Sequence, residues 1–171
     1  QHILKVAAPI MLQNFMALCT WLSFFIIIEQ TGESNLAISH IVRSIYMVVM
    51  IPLFGFSSAA SALVSNVMGE KRLSEVRTLI KRIVLMSLLA TALFLPILLA
   101  FPFKITSIYT DDLALIEGAV KILPVICAAM FFFSIAFITF SSVTGTGKTL
   151  VTLSIEFISV SIYLSFAYYF A

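Results

Sequence analysis

The sequence predicts an all-α, polytopic transmembrane helical bundle with five spanning helices, and three observations predict it. Of the 171 residues, 61% are hydrophobic and 11% charged, against roughly 45–50% and 25% in an ordinary soluble domain. The mean hydropathy is +1.14. The eighteen charges, ten basic and eight acidic, leave neutral blocks at 6–28, 44–69, 83–103 and 122–147, and a fifth at 149–171 broken only by Glu156. Each block meets the roughly 20 residues that a helix needs to cross about 30 Å of hydrocarbon. Backbone groups in lipid must pair internally, and the alternating ~10-residue segments of a membrane β-barrel do not occur in this sequence. So apolar a chain is neither an ordinary soluble enzyme nor disordered, and a net charge of +2 is too small to point to nucleic acid.

The predicted helices are 6–30, 36–68, 82–103, 114–143 and 150–170, together one partial transmembrane lobe over 1–171. The first is bounded by the turn-forming stretch Thr31–Asn35 (TGESN), rich in helix-breaking glycine and polar residues. The second has room for about 33 residues, close to 50 Å at ~1.5 Å per residue, so it tilts or projects from the bilayer. The third follows Gly69–Arg82 (GEKRLSEVRTLIKR), the markedly polar connection of the chain. The fourth opens after Lys104–Asp112 (KITSIYTDD), where Asp111 and Asp112 suit the positive end of a helix dipole. The fifth follows Thr144–Thr149 (TGTGKT). Because the chain begins at Gln1 and stops at Ala171 inside an apolar segment, it reads as a piece of a longer protein.

Charge sidedness sets the orientation. Lys5, Lys71, Arg72, Arg77, Lys81, Arg82 and Lys148 share one side, while the other side carries Lys104 in its loops, with Arg43 and Lys121 just inside helices. Basic residues concentrate on the cytoplasmic side of spanning helices, so the segment's N-terminus is expected in the cytoplasm of a cell membrane. Tyr163, Tyr168 and Tyr169 then suit an interfacial aromatic belt at the outer face.

Within the spans, polar and special residues are the functional candidates, because charge in hydrocarbon is costly and seldom kept without a purpose. Pro52 stands mid-helix, where a missing N–H kinks the axis. Beyond it Gly55, Ser58, Ala59 and Ala62 recur at helical spacing and let another helix approach closely. Pro52 and Gly55 are therefore either packing elements or hinges. Arg43 and Glu29 lie near the same membrane face, either as an ion pair or lining a cavity. Glu117 and Lys121 stand four apart, a spacing that permits a local pair. Glu156 has no cation in its own helix, and Thr152, Glu156, Ser159 and Tyr163 form one polar stripe facing protein or water. Cys19 and Cys127 read as small buried hydrophobes. The Ser142–Thr149 stretch (SVTGTGKT) ends like a phosphate-binding loop but has Ser142 where that motif has its first glycine, and it follows an apolar helix instead of a strand. Neither a catalytic triad nor a metal-ligand set is present in the sequence, so no enzyme activity and no metal or cofactor are expected.

Residues Leu36–Val76 (LAISHIVRSIYMVVMIPLFGFSSAASALVSNVMGEKRLSEV) resemble the second helix of a lobe in the multidrug and toxic compound extrusion (MATE) family. The elements that carry the resemblance are Pro52, Gly55, Ala59-Ala60-Ser61, Leu63-Val64, Asn66 and Gly69. The opening Leu4–Pro9 (LKVAAP) and the turn Gly145-Thr146-Gly147-Lys148-Thr149 are similar to that family's as well. The resemblance implies a twelve-helix antiporter of two six-helix lobes, of which this chain supplies five helices, most in keeping with the C-terminal lobe. Some members carry an aspartate twelve residues before the first glycine of that turn; here the residue is Phe133. Some carry a glutamate about two turns past the opening proline; here Gln13, Asn14 and Ala17 stand at that depth. Coupling carboxylates are thus missing from both positions and are expected in the absent lobe.

The functional reading is a fragment of a secondary active transporter that exports small organic, often cationic, compounds by Na⁺ or H⁺ antiport, through rocking of two lobes. Its partners are those substrates, the lipid bilayer and the missing lobe of the same chain, without nucleic acid. The pathway candidates are Glu156, Arg43, Glu29, Gln13 and Asn14. A lipid-linked oligosaccharide flippase of the same wider superfamily is the alternative within transport, though a pyrophosphate cavity calls for more arginine and lysine than Arg43 and Lys121. A non-transporting membrane assembly subunit is the alternative outside it.

Overall fold

The computed structural model describes residues 2–30 and 32–170, with side chains described for 7–30 and 32–169. The side chains of Lys5 and of the start of the Leu4–Pro9 stretch, as well as Thr31 and Ala171, lie outside the described residues. The elements are α1 (His2–Glu29), α2 (Glu33–Gly69), α3 (Leu73–Ala100), α4 (Pro102–Thr106), α5 (Leu113–Gly145) and α6 (Thr149–Phe170). Among the described residues, five of these are long and apolar enough to cross a membrane. The protein is a multi-pass helical membrane bundle.

Two features differ from the sequence reading. The polar connection Gly69–Arg82 shrinks to a tight turn at Glu70–Arg72, and α3 starts at Leu73, nine residues before the expected start. The segment spaces Leu73, Val76, Leu79 and Ile80 as a helix does, so the helix continues past the apolar block. In the turn, Lys71 takes a positive φ of 62° and Arg72 pairs with both Glu70 and Glu75. These bonds, that to Glu75 foremost, push the Arg72 guanidinium pKa upward. The second difference is the short α4 inside the expected loop, begun by Pro102 in its first turn, where proline's absent N–H costs nothing. Asp112 caps α5, its carboxylate accepting from the Ala114 N–H at 2.9 Å.

The core is built on α2 and α5. The inward face of α5 reads Ile116, Ala119, Leu123, Cys127, Met130, Ser134, Ile138, Ser142, Gly145, large and small side chains alternating every three or four residues. This seam meets the buried α2 row Ile41, Val42, Ile45, Val49, Leu53, Ala60 and Val64. Contacts climb together, from Ile41 and Val42 with Ala119, through Val49 with Cys127, to Ala60 with Ile138, so the two helices run parallel. Because lipid is as apolar as leucine, association must come from close packing and hydrogen bonds, and both are found. Ser141 Oγ donates to the Ser57 carbonyl at 2.6 Å and Ser65 Oγ to the Gly145 carbonyl at 2.7 Å. A Cβ on Gly145 would stand 2.5 Å from the Ser61 carbonyl oxygen, so only glycine admits this approach. Antiparallel α3 covers the pair through Ile83, Ser87, Thr91 and Leu95, with Ser87 Oγ 3.2 Å from Ser134 Oγ.

The remaining two long helices, α1 and α6, pack chiefly on each other and touch α2 and α5 only sparsely. The molecule is therefore a three-helix body carrying a two-helix arm.

Candidate functional site

Three adjoining hollows form a cleft: the first and third, of about 500 and 540 Å³, lie between arm and body, and the second, of about 330 Å³, lies within the arm between α1 and α6. Trp21, Phe24 and Tyr163 line both the first and the second, Glu156 the second and third, and Phe133 the first and third. The walls are mostly aromatic or aliphatic. Two charged residues reach them, Arg43 in the first hollow and Glu156 in the other two.

Arg43 is positioned by α2, whose neighbouring Val42 and Ile45 are buried against α5. That fixes the helix rotation and aims Arg43 at α1. Its guanidinium carbon lies 5.2 Å from the Trp21 ring centre and 5.1 Å from that of Phe25, within cation–π range. Trp21 and Phe25 are four apart on α1 and share one face, with ring centres 6.1 Å apart. Phe25 stacks on His40 at 4.7 Å, and Trp21 lies nearly parallel to Tyr46 at 6.3 Å. This girdle was hidden in the sequence, because its residues come from two helices whose mutual rotation no spacing reveals. Glu29 is exposed and makes no ion pair with Arg43; the ion pairs among the described residues are those of Arg72. The expected Glu29–Arg43 pair is thus replaced by an aromatic cradle, because α1 presents Trp21 and Phe25 to Arg43.

Glu156 is half-buried in α6. No hydrogen bond or ion pair of its carboxylate occurs among the described residues. On one side it borders Ala17, Thr20 and Trp21, and on the other Phe133, Thr139 and Ser159. The polar stripe of α6 divides: Thr152 is fully buried, donating to the Thr149 carbonyl, while Glu156, Ser159 and Tyr163 face the cleft. Tyr163 packs on Phe24 at 6.2 Å and so belongs to the cleft wall, whereas Tyr168 and Tyr169 are exposed.

Of the two α1 candidates, Asn14 is exposed and Gln13 is buried at 7% exposure, its Nε2 meeting no acceptor. Ala17, one turn further along α1, lines the second hollow. Phe133 lines the cleft and stacks on Phe137 at 5.3 Å. Pro52 is half-buried within an unbroken α2, beside the fully buried Leu53. Gly55 is exposed, with open space where a Cβ would stand. Ser58, Ala59 and Ala62 are exposed too, so within this chain the close approach uses Ser57, Ser61 and Ser65 instead. Glu117 and Lys121 are exposed and do not form an ion pair. Cys127 is buried, but Cys19 is exposed on the outer face of the arm. Hydropathy does not separate the two, since core and lipid are equally apolar.

The sequence profile of the MatE family matches residues 9–169. A probable multidrug resistance protein NorM from Thermotoga maritima is 29% identical over 160 residues, covering 94% of this chain and 34% of the relative. The chain thus spans about a third of the length of that curated relative.

Proposed function

Because the chain belongs to the MatE family, matched over nearly its whole length, we propose that it forms five helices of one lobe of a secondary exporter. The exporter moves small organic, often cationic, compounds across the cell membrane in exchange for Na⁺ or H⁺, and the rest of the chain completes the transport path. The segment's N-terminus lies in the cytoplasm on this reading, in keeping with the basic residues at the α2–α3 end.

The observation that carries the proposal is Glu156, an unpartnered carboxylate within a spanning helix, on the wall of the hollow between arm and body and of that between α1 and α6. A lipid-facing carboxylate at that depth costs roughly 2.5–3.5 kcal/mol on insertion scales. Facing a hollow, it instead attracts a cation or accepts a proton. Gln13 and Asn14 are the polar candidates of α1, one turn before Ala17 in the hollow wall. Pro52 and Gly55 are the hinge candidates of α2, and Arg43 and Glu29 mark the far end of the path.

Efflux by the full-length protein tests the reading. Glu156→Gln is expected to keep the protein folded and to weaken export of a cationic dye more than that of a neutral dye of similar size. Equal export of both dyes by the variant and the parent protein would overturn the role given to Glu156.

A further inference from the structure

The first hollow differs from the other two in the sign of its charge. About 500 Å³ in volume, it holds Arg43 and no carboxylate among its lining residues. Ser39, also in the lining, already spends its hydroxyl on the Asn35 carbonyl at 2.8 Å. Arg43 rests against Trp21 and Phe25, but ring faces offer its N–H groups only weak π contacts and no lone pair. Among the described residues it has no ion pair. A guanidinium carries five donors in a rigid fork, and in an apolar hollow unmet donors favour a ligand that brings acceptors.

We infer that this hollow binds an amphipathic organic monocarboxylate with a flat aromatic body, its carboxylate on the Arg43 fork and its ring between the aromatic walls. The carboxylate matches the fork in shape and charge. The volume suits one molecule of drug size, and Trp21, Phe24, Tyr46, Phe133 and Tyr163 provide faces for a ring to stack on. A cation finds no counter-charge here, and a neutral ligand leaves the guanidinium unpaired. The hollow adjoins those that Glu156 lines but does not include Glu156, and its test reads binding, so it stands or falls independently of export.

The test uses the full-length protein in nanodiscs of zwitterionic lipid, with three probes sharing one ring system: 1-pyrenebutyrate, 1-pyrenebutanol and 1-pyrenebutylamine. Binding is read by energy transfer from tryptophan, corrected for empty nanodiscs; Trp21 lies in the wall of the site. The butyrate is expected to bind saturably and at least about tenfold more tightly than the butanol, the scale of one charged hydrogen bond, with the amine weakest. Arg43→Gln is expected to bring the butyrate down to the butanol's affinity while leaving the butanol unchanged. Ala129→Phe, which narrows the hollow and keeps the charge, is expected to weaken both, and covers the case in which Arg43→Gln does not fold. Equal affinity for the three probes, tightest binding of the amine, or indifference of the butyrate to both substitutions would overturn the inference. So would loss of Arg43-dependent butyrate binding in nanodiscs of anionic lipid, which would give the hollow to a lipid headgroup.

Discussion

The body and the arm are made of equally apolar helices but are held together differently. In the most apolar stretches of α2 and α5, 28% of the residues are buried within the molecule; in those of α1 and α6 the figure is 6%. The body has an alternating large–small seam, hydroxyl bonds between helices and one glycine through which backbones meet. In the arm, α1 and α6 pack along each other with Gln13 and Thr152 buried and Phe24 against Tyr163, but they bury far less of their apolar length. Both unpartnered charges of the cleft, Arg43 on the body and Glu156 on the arm, sit where the two regions face each other. Interlocked surfaces resist sliding because packed interiors tolerate no loss of contact, so the plane between body and arm is where this bundle yields first.

The largest expected effect comes from overfilling the body's tightest point. Gly145→Ala sets a Cβ 2.5 Å from the Ser61 carbonyl oxygen and 2.9 Å from its Cα. Both are backbone atoms that cannot rotate away, so the substitution is expected to cost about 3 kcal/mol, the upper end of ordinary overpacking. Gly55→Ala meets open space and is expected to be neutral or to stabilise by less than about 1 kcal/mol. Thermal unfolding of the purified variants distinguishes them, and equal midpoints would remove the interlocked seam from the account of the body.

Next in size is a matched truncation. Leu123 is 1% exposed in the body and Leu22 is 65% exposed on the arm. In lipid the transfer term largely cancels, which leaves the cavity. Leu123→Ala is expected to cost about 2 kcal/mol, the low end for buried leucine, and Leu22→Ala less than about 0.5 kcal/mol. Reversible unfolding in mixed micelles measures both. A loss at Leu22 matching that at Leu123 would mean that the rest of the protein grips the arm as firmly as the body grips itself.

These contrasts also mark what was legible in the sequence. Neutral blocks and turn residues placed all five spanning helices, because burial in lipid is a property of composition. The start of α3 was missed because a charged amphipathic segment looks like a loop when only neutrality is read. Arg43 and Glu156 stood out by depth alone. Their surroundings did not, since which face of a lipid-embedded helix meets a neighbour leaves no hydropathy signal: Cys19 and Cys127 read alike, and only Cys127 is in the core. The α2–α5 approach is legible as small residues, yet Gly55, Ser58, Ala59 and Ala62, the set at helical spacing beyond Pro52, lie one helix face away from Ser57, Ser61 and Ser65.

A smaller effect lies in the hydroxyl contact between α3 and α5. Ser87 and Ser134 are both fully buried, 3.2 Å apart, and Ser87 also donates to its own helix at the Val84 carbonyl. Because Ser87 already has an acceptor in its own helix and a helical serine can turn to its i−4 carbonyl, the coupling in a cycle of Ser87→Ala and Ser134→Ala is expected near 0.6 kcal/mol, the average for such bonds in membrane proteins. A coupling above about 2 kcal/mol would mean that hydrogen bonding, more than the large–small alternation, holds α3 in place.

The smallest expected effect is a coupling of zero, and it bears most directly on the arm's freedom. Were Glu29 paired with Arg43, an ion pair would fasten α1 to α2 at the end of the cleft and hold the arm shut. Instead Glu29 is exposed and Arg43 rests on the rings of Trp21 and Phe25, contacts that survive small shifts of one helix along the other. A cycle of Glu29→Gln and Arg43→Gln, followed by thermal unfolding, is therefore expected to be additive within about 0.5 kcal/mol, as for groups that share no partner. Trp21→Leu with Arg43→Gln should by contrast couple by about 0.5–2 kcal/mol, the range of a cation–π contact. Coupling at Glu29 with none at Trp21 would reverse the assignment: the arm would then be latched by charge, and opening the cleft would first require breaking an ion pair.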